Sequence, residues 1–200
     1  MPAHIAPLPA FDSANAPAGL QALVDFVGYR PHALLTMARH DGLLPAVLGL
    51  VQATLRGPGP LEEPLRFLVG CEASRVSGCG YSAAHAAHVA IHLGVPLAKL
   101  AALDRHAGSP LYTPRERAAL ALADAAARPR ARGASVAHDA AFASVRACFS
   151  EEELLALVAV VSAFGWFNRW NSLVRSELEA EPATMVEALR WLGPLLDASP

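Results

Sequence analysis

SEEELLALVAVVSAFGWFNRWNSLV, Ser150 to Val174, decides the fold class. Ser150 followed three residues later by Glu153 has the form of a capping box: the hydroxyl takes one orphan amide and the glutamate returns to the cap's own amide. The apolar run Leu154–Phe167 that follows has 14 residues and contains Ser162 and Gly165. It falls short of the roughly 18 to 20 residues a bilayer span needs, so the pattern predicts a buried or interfacial helix over 151–176.

Working outward, Thr113-Pro114-Arg115-Glu116 repeats the same capping chemistry and predicts a helix over 114–127. Gly19–Val27, a segment opening at Arg30-Pro31 and the stretch Pro45–Leu55 read as helical before GPGP, Gly57–Pro60, breaks the chain. Leu61–Val76 and Tyr81–Leu93 follow, separated by Gly78 and Gly80, and Gly94-Val95-Pro96 ends the second of them. Further helices are expected at 138–148 and 183–192, with an Arg/Pro loop at 128–134. No period-two alternation persists, so the expected fold is all-α, about seven to nine helices in one domain over 19–200. An irregular or strand-like arm over 1–18 precedes it.

Composition agrees. The 200 residues are 54% apolar but only 6% aromatic, rich in Ala and Leu, as packed helices require. A net charge of -2 with scattered basic residues leaves no footprint for nucleic acid. The triplet Arg128, Arg130 and Arg132 reads as a solvated loop. The early prolines and the lack of a basic segment before an apolar core do not form a secretory signal, and three cysteines, an odd number, fit reduced thiols of a cytoplasmic protein.

The chemistry concentrates in SGCGYSAAHAAH, Ser77–His88. Cys79 stands at an expected helix N-terminus, where dipole and free amides favour a thiolate; a small buried core thiol is the other reading. Cys71, eight residues earlier, lies about 12 Å away along a continuous helix, too far for a disulfide with Cys79. His85, His88 and His92 share one helix face. His85 is placed to shuttle protons to the thiol; His88 and His92 read as packing or exposed residues, and the spacing is not a strong metal signature. In GWFNRWN, Gly165–Asn171, the residues Trp166, Asn168 and Trp170 are candidates for a pocket wall together with Tyr81, core or interface packing being the alternative.

EASRVSGCGYSAAHAAH, then HLGVP, TPRERAALALADAA and FSEEELLALVAVVSAFGWFNRWNSLVRSELE together resemble the carboxymuconolactone decarboxylase family, more closely its alkylhydroperoxidase AhpD-like, peroxidase-related branch, over roughly residues 30–180. The resemblance implies an all-helical fold, a homo-oligomer (dimer, trimer or hexamer), no cofactor, and a thiol reductant protein as a partner. It places Cys79 at the resolving position of a C-x-x-C site, Ser82 at the attacking position and His85 as the relay histidine. Serine forms neither a sulfenic acid nor a disulfide, so the two-thiol cycle is not available from these residues. Phe67 stands where many members have the relay acid, and Glu72 is the nearest acidic residue. Three functions follow as expectations: a C-x-x-S peroxide or disulfide enzyme using a lone thiol, a redox-inactive binding or assembly protein, or an acid/base enzyme of the decarboxylase type using His85 and Glu72.

Overall fold

The computed structural model describes residues 3–9, 16–17, 19–128 and 135–197. Among them there is no strand, and eight α-helices have seven residues or more. Both capping boxes form. Ser150 Oγ accepts the Glu153 amide at 3.2 Å while the Ser150 amide donates to Glu153 Oε2 at 2.8 Å, and Thr113 pairs with Glu116 in the same way.

The first helices are short: α1 (Leu20–Val27), α2 (His32–Met37) and α3 (Leu43–Val51). The last runs on through a π turn, Gln52–Arg56, that carries Arg56 inward before Gly57 breaks the helix. Next come α4 (Glu63–Val76) and α5 (Gly80–His92), the central pair. Gly78, at φ 74, takes the left-handed conformation that a side chain would strain and so turns one helix into the next. Cys79 is left as the N-cap residue of α5.

A short α6 (Leu97–Ala101) and a 3-10 turn lead to α7 (Pro114–Ala127) and α8 (Ser135–Arg146). The expected 128–134 loop lies outside the described residues beyond Arg128. The long helix α9 (Glu151–Val174) buries Leu157, Val160, Ala163, Phe164, Asn168, Asn171 and Val174 at three- and four-residue spacing. It approaches α4 so closely that a Cβ on Gly70 would lie 2.0 Å from the Phe164 ring; only glycine fits there. Its outer face exposes Leu155, Val158, Trp166 and Leu173.

α9 stops at Arg175, and a five-residue link delivers Glu179 as the N-cap residue of α10 (Ala180–Ala188). The helix expected at 183–192 starts earlier and stops at Ala188, where Leu189 is extended, and a separate short helix, α11 (Gly193–Asp197), follows. Residues 3–9 form no helix or strand and lie along the end of α9: the His4 amide donates to the Val174 carbonyl at 3.0 Å and the Ala3 amide to Glu177 Oε1 at 3.1 Å; the rest of the expected 1–18 arm falls largely outside the described residues. No helix among the described residues is long and apolar enough to cross a membrane.

Candidate active site

The N-terminal turn of α5 presents Cys79, Ser82 and His85 three residues apart. The Cys79 thiol donates to Ser82 Oγ at 3.2 Å, and Asn171 Nδ2, from α9, donates to the same oxygen at 3.0 Å. Asn171 is itself held by Ser176, whose hydroxyl donates to Asn171 Oδ1 at 2.9 Å. Cys79, Ser82 and Asn171 are all buried.

His85 sits between two partners. Glu179 Oε2 lies 2.7 Å from Nε2, and the Tyr29 hydroxyl lies 2.8 Å from Nδ1. The other oxygen of Glu179 accepts the Tyr81 hydroxyl at 2.9 Å and the His32 amide. Tyr81 in turn accepts the Ala33 amide at 3.2 Å, and its ring packs on the His85 imidazole with centroids 4.2 Å apart. Burial alone would raise the Glu179 carboxyl, but the hydrogen bond and charge of His85, with the His32 amide, outweigh it and hold the group below its usual range. Burial raises the Tyr29 and Tyr81 phenols, and the negative charge of Glu179 raises them further.

A carboxylate only accepts, so His85 Nε2 carries the hydrogen toward Glu179. The Tyr29 hydroxyl donates to Nδ1 of a neutral imidazole and accepts from Nδ1 of an imidazolium. Tyr29, His85 and Glu179 therefore form one continuous line of hydrogen bonds.

Ser82, His85, Tyr29 and Tyr81 line a cavity of about 140 Å³ whose other walls include Phe26, Phe67, Phe164, Phe167 and Met37. Arg56 is the one permanently charged side chain among the lining residues. It is already paired to Glu63 Oε2 at 2.9 Å and lies 3.7 Å over the Phe26 ring. Cys79 does not line this cavity. It borders a second, polar cleft of about 340 Å³ with Asn171, Arg175, Glu177 and Asp197, and Tyr81 borders both.

Among the residues singled out from sequence, the structure brings Cys79, Ser82, His85 and Tyr81 together. Glu72 is elsewhere: fully buried, its carboxylate takes two hydrogen bonds from Arg75, both at 2.8 Å, and faces His106 Nδ1 at 3.6 Å. Arg75, three residues further along the same helix, holds it there. Phe67, in the place of the expected acid, forms cavity wall and meets Phe164 edge-on. Trp166 and Trp170 stack on each other, and Asn168 accepts the Ser74 hydroxyl at 2.9 Å; none of the three lines the aromatic cavity. From that same stretch it is Phe167 and Asn171 that reach the site.

His88 and His92 bond to the carbonyls of Val27 and His88. Cys71 is sealed in the core against the Ala83 carbonyl, its thiol raised by burial.

Sequence reading missed Tyr29, Glu179 and Asn171. Asn171 could have been found, since it falls three residues beyond Asn168 on the inward face of α9. Glu179 lies in SELEAEP with Glu177 and Glu181, and no periodicity distinguishes the three.

The all-helical fold, with a thiol at a helix N-terminus and a hydrogen-bonded histidine two turns further on, is similar to that of AhpD-like proteins. Residues 41–125, the stretch that carries Cys79, Ser82 and His85, match the model of the carboxymuconolactone decarboxylase family. The debrominase Bmp8, crystallised as a cysteine-to-alanine variant with 2,3,4-tribromopyrrole, is 28% identical over 94% of this chain and 98% of its own, with a TM-score of 0.81. Its apo form matches at 27%, over 92% and 96%, with a TM-score of 0.78. ATU0492 of Agrobacterium tumefaciens, a protein of unknown function described as an AhpD-type antioxidant defence protein, is 27% identical over 72% of this chain and 94% of its own, at a TM-score of 0.62. Among curated proteins none matches the chain.

Proposed function

We propose that this chain is a single-thiol oxidoreductase of the AhpD-like fold, with Cys79 as the redox group and Tyr29–His85–Glu179 as its proton relay. The observation that carries the reading is the hydrogen-bonded relay ending on the same cavity as Ser82, whose Oγ is 3.2 Å from the Cys79 sulfur. Peroxide reduction balances with these parts. The Cys79 thiolate takes the distal oxygen of R–O–OH to give Cys79–S–OH; the O–O bond breaks, and the relay protonates the departing alkoxide to ROH. Two equivalents of an external thiol then return Cys79–SH, releasing water and a disulfide, because Ser82 cannot resolve the sulfenic acid from within.

The likeness to Bmp8 supports a parallel substrate. A halogenated aromatic would pass its halogen to the same sulfur while the relay delivers a proton to the ring carbon; one external thiol would then displace halide from the sulfur to form a mixed disulfide, and a second would release Cys79–SH and the external disulfide. Cumene hydroperoxide and 2,3,4-tribromopyrrole, each with excess dithiothreitol, test both. Slow turnover of either that disappears in Cys79→Ala and falls at least tenfold in Tyr29→Phe supports the reading. Full activity in Cys79→Ala would overturn it.

That outcome would favour a second reading, for which one observation speaks: the hydroxyl of Ser82, not the sulfur, faces the aromatic cavity. The chain would then be a non-redox acid/base enzyme using Tyr29, His85 and Glu179. The outer face of α9, with Leu155 and Leu173 about 70% exposed (70% and 69%), supports assembly into a homo-oligomer. Sedimentation as a 21.0 kDa monomer at micromolar concentration would count against assembly.

A further inference from the structure

The polar side chains of the described residues on its wall narrow the identity of the cavity's ligand. Both nitrogens of His85 are engaged, one by Glu179 and one by Tyr29. The Tyr81 hydroxyl donates to Glu179 and accepts from Ala33. Ser82 Oγ already accepts from Cys79 and Asn171. The charge of Arg56 is balanced by Glu63, which takes one of its N–H groups, and the guanidinium lies over the face of Phe26. Besides the other N–H groups of Arg56, the Tyr29 oxygen offers lone pairs, which accept, and Ser82 offers its hydroxyl hydrogen.

With a neutral imidazole the Tyr29 oxygen is an acceptor toward the cavity. Its own hydrogen then goes to His85 Nδ1, because Nε2 donates to Glu179. A ligand that meets Tyr29 must therefore bring a donor. It must also carry no negative charge, since the cation among the described wall residues, Arg56, is already balanced by Glu63 and burying an anion without a counter-charge is prohibitive. Its size is set by the volume: an apolar cavity of about 150 Å³ holds one benzene ring, and this one has about 140 Å³ walled by four phenylalanines.

We infer that the cavity binds a neutral single-ring aromatic carrying one ring-borne O–H or N–H, which it hydrogen-bonds to the Tyr29 oxygen. The inference rests on the reading of this cavity as the substrate site, and it names the substrate class for that site. A carboxylated lactone, the compound class in the family's name, does not meet these requirements. The relay adds a consequence. As the ligand's proton passes to the Tyr29 oxygen, the Tyr29 proton passes to His85 Nδ1, and Glu179 stabilises the resulting imidazolium; the ring is left electron-rich where it binds.

Calorimetry on the intact protein, without reductant, compares phenol with anisole, pyrrole with N-methylpyrrole, and phenol with benzoate. The expected result is that phenol, pyrrole or both bind, that methylating the donor weakens binding roughly tenfold, as loss of one hydrogen bond with the acceptor left unpaired would, and that benzoate does not bind. Binding by phenol alone or pyrrole alone tells which donor the site takes. In Tyr29→Phe the ratio between donor and methylated analogue should collapse to about one. Equal binding of the methylated compounds to the wild-type protein, tight binding of benzoate, or failure of both donor compounds to bind would overturn the inference, and none of these depends on whether Tyr29→Phe folds. Because the measurement involves no turnover, donor selectivity without peroxide or haloarene chemistry would sink the thiol reading and leave the ligand class standing. Turnover without donor selectivity would do the reverse.

Discussion

Two buried carboxylates, Glu72 and Glu179, each face a histidine, and the difference between their surroundings separates structure from chemistry. Glu72 faces His106, but Arg75 on the same helix supplies both of its strong hydrogen bonds. A guanidinium does not give up its proton, so that charge balance is permanent. Among the described residues Glu179 has no arginine as a hydrogen-bond partner. Its strong partners are an imidazole, a phenol and a backbone amide, and the imidazole carries the line of hydrogen bonds onward to Tyr29 on a cavity wall. A buried carboxylate held by arginine fixes a fold; one held by histidine can have its partner's charge change during a reaction.

The largest effect expected from this contrast is on stability. Glu72→Ala leaves Arg75 facing an uncompensated interior, which typically costs about 3–5 kcal/mol when a buried pair is broken. Urea unfolding should show that loss, while phenol binding by the folded variant stays within about twofold of wild type. A cost below roughly 1 kcal/mol would remove Glu72 from the structural side of the comparison.

Glu179→Gln should cost less, about 1–3 kcal/mol for the unpaired buried groups it leaves, but should remove the relay and lower turnover at least a hundredfold. Its pH signature follows from the direction of the shift. The folded Glu179 carboxyl lies below its unfolded value, so its contribution to stability is complete above the ordinary carboxylate range, near 4.3, and is lost as the pH falls through the lower folded value. Stability measured from pH 7 down to pH 3 should therefore fall less steeply in Glu179→Gln than in the wild type. An unchanged acid limb would mean that Glu179 is not the anchored carboxylate described here. Tyr29→Phe, which deletes one hydroxyl, should cost only about 1 kcal/mol in stability yet reduce turnover by roughly 10²- to 10⁴-fold.

The contrast also explains what could be read from the chain in advance. Features written in local chemistry were legible: both capping boxes, the glycine turn before Cys79, and the three-residue spacing that clusters Cys79, Ser82 and His85. The acid was not. Distance along the chain pointed to Glu72, two turns before Cys79, but Arg75 three residues further on claims it, an arrangement that favours local pairing on a helix. Glu179 reaches His85 across 94 residues through the end of α9, and where a long helix ends in space depends on how it packs, here on the Gly70–Phe164 approach. The same holds for Tyr29, which follows the helix end at Gly28 and is placed by α5, 56 residues away. In GWFNRWN the aromatic residues drew attention, yet the inward face of α9 selects Phe167 and Asn171, one turn apart.

Ser82→Cys has the smallest expected effect on stability and sharpens the comparison furthest. The Ser82 oxygen is 3.2 Å from the Cys79 sulfur, so a second thiol there needs only side-chain adjustment to close a 79–82 disulfide. The loss is one hydrogen bond from Asn171, about 1 kcal/mol. The new thiol faces the aromatic cavity, beside His85, and gains the stabilisation that a helix N-terminus gives a thiolate. Peroxide turnover with a dithiol should therefore rise, since the sulfenic acid formed at position 82 is resolved by Cys79 without an external thiol. Combining it with Glu179→Gln should cancel the gain, because the alkoxide leaves without its proton; combining it with Glu72→Gln should preserve the gain in whatever fraction remains folded. If the disulfide forms and both double variants behave alike, the two carboxylates do not divide into a structural and a chemical one, and the proton must enter the site by a route other than Tyr29, His85 and Glu179.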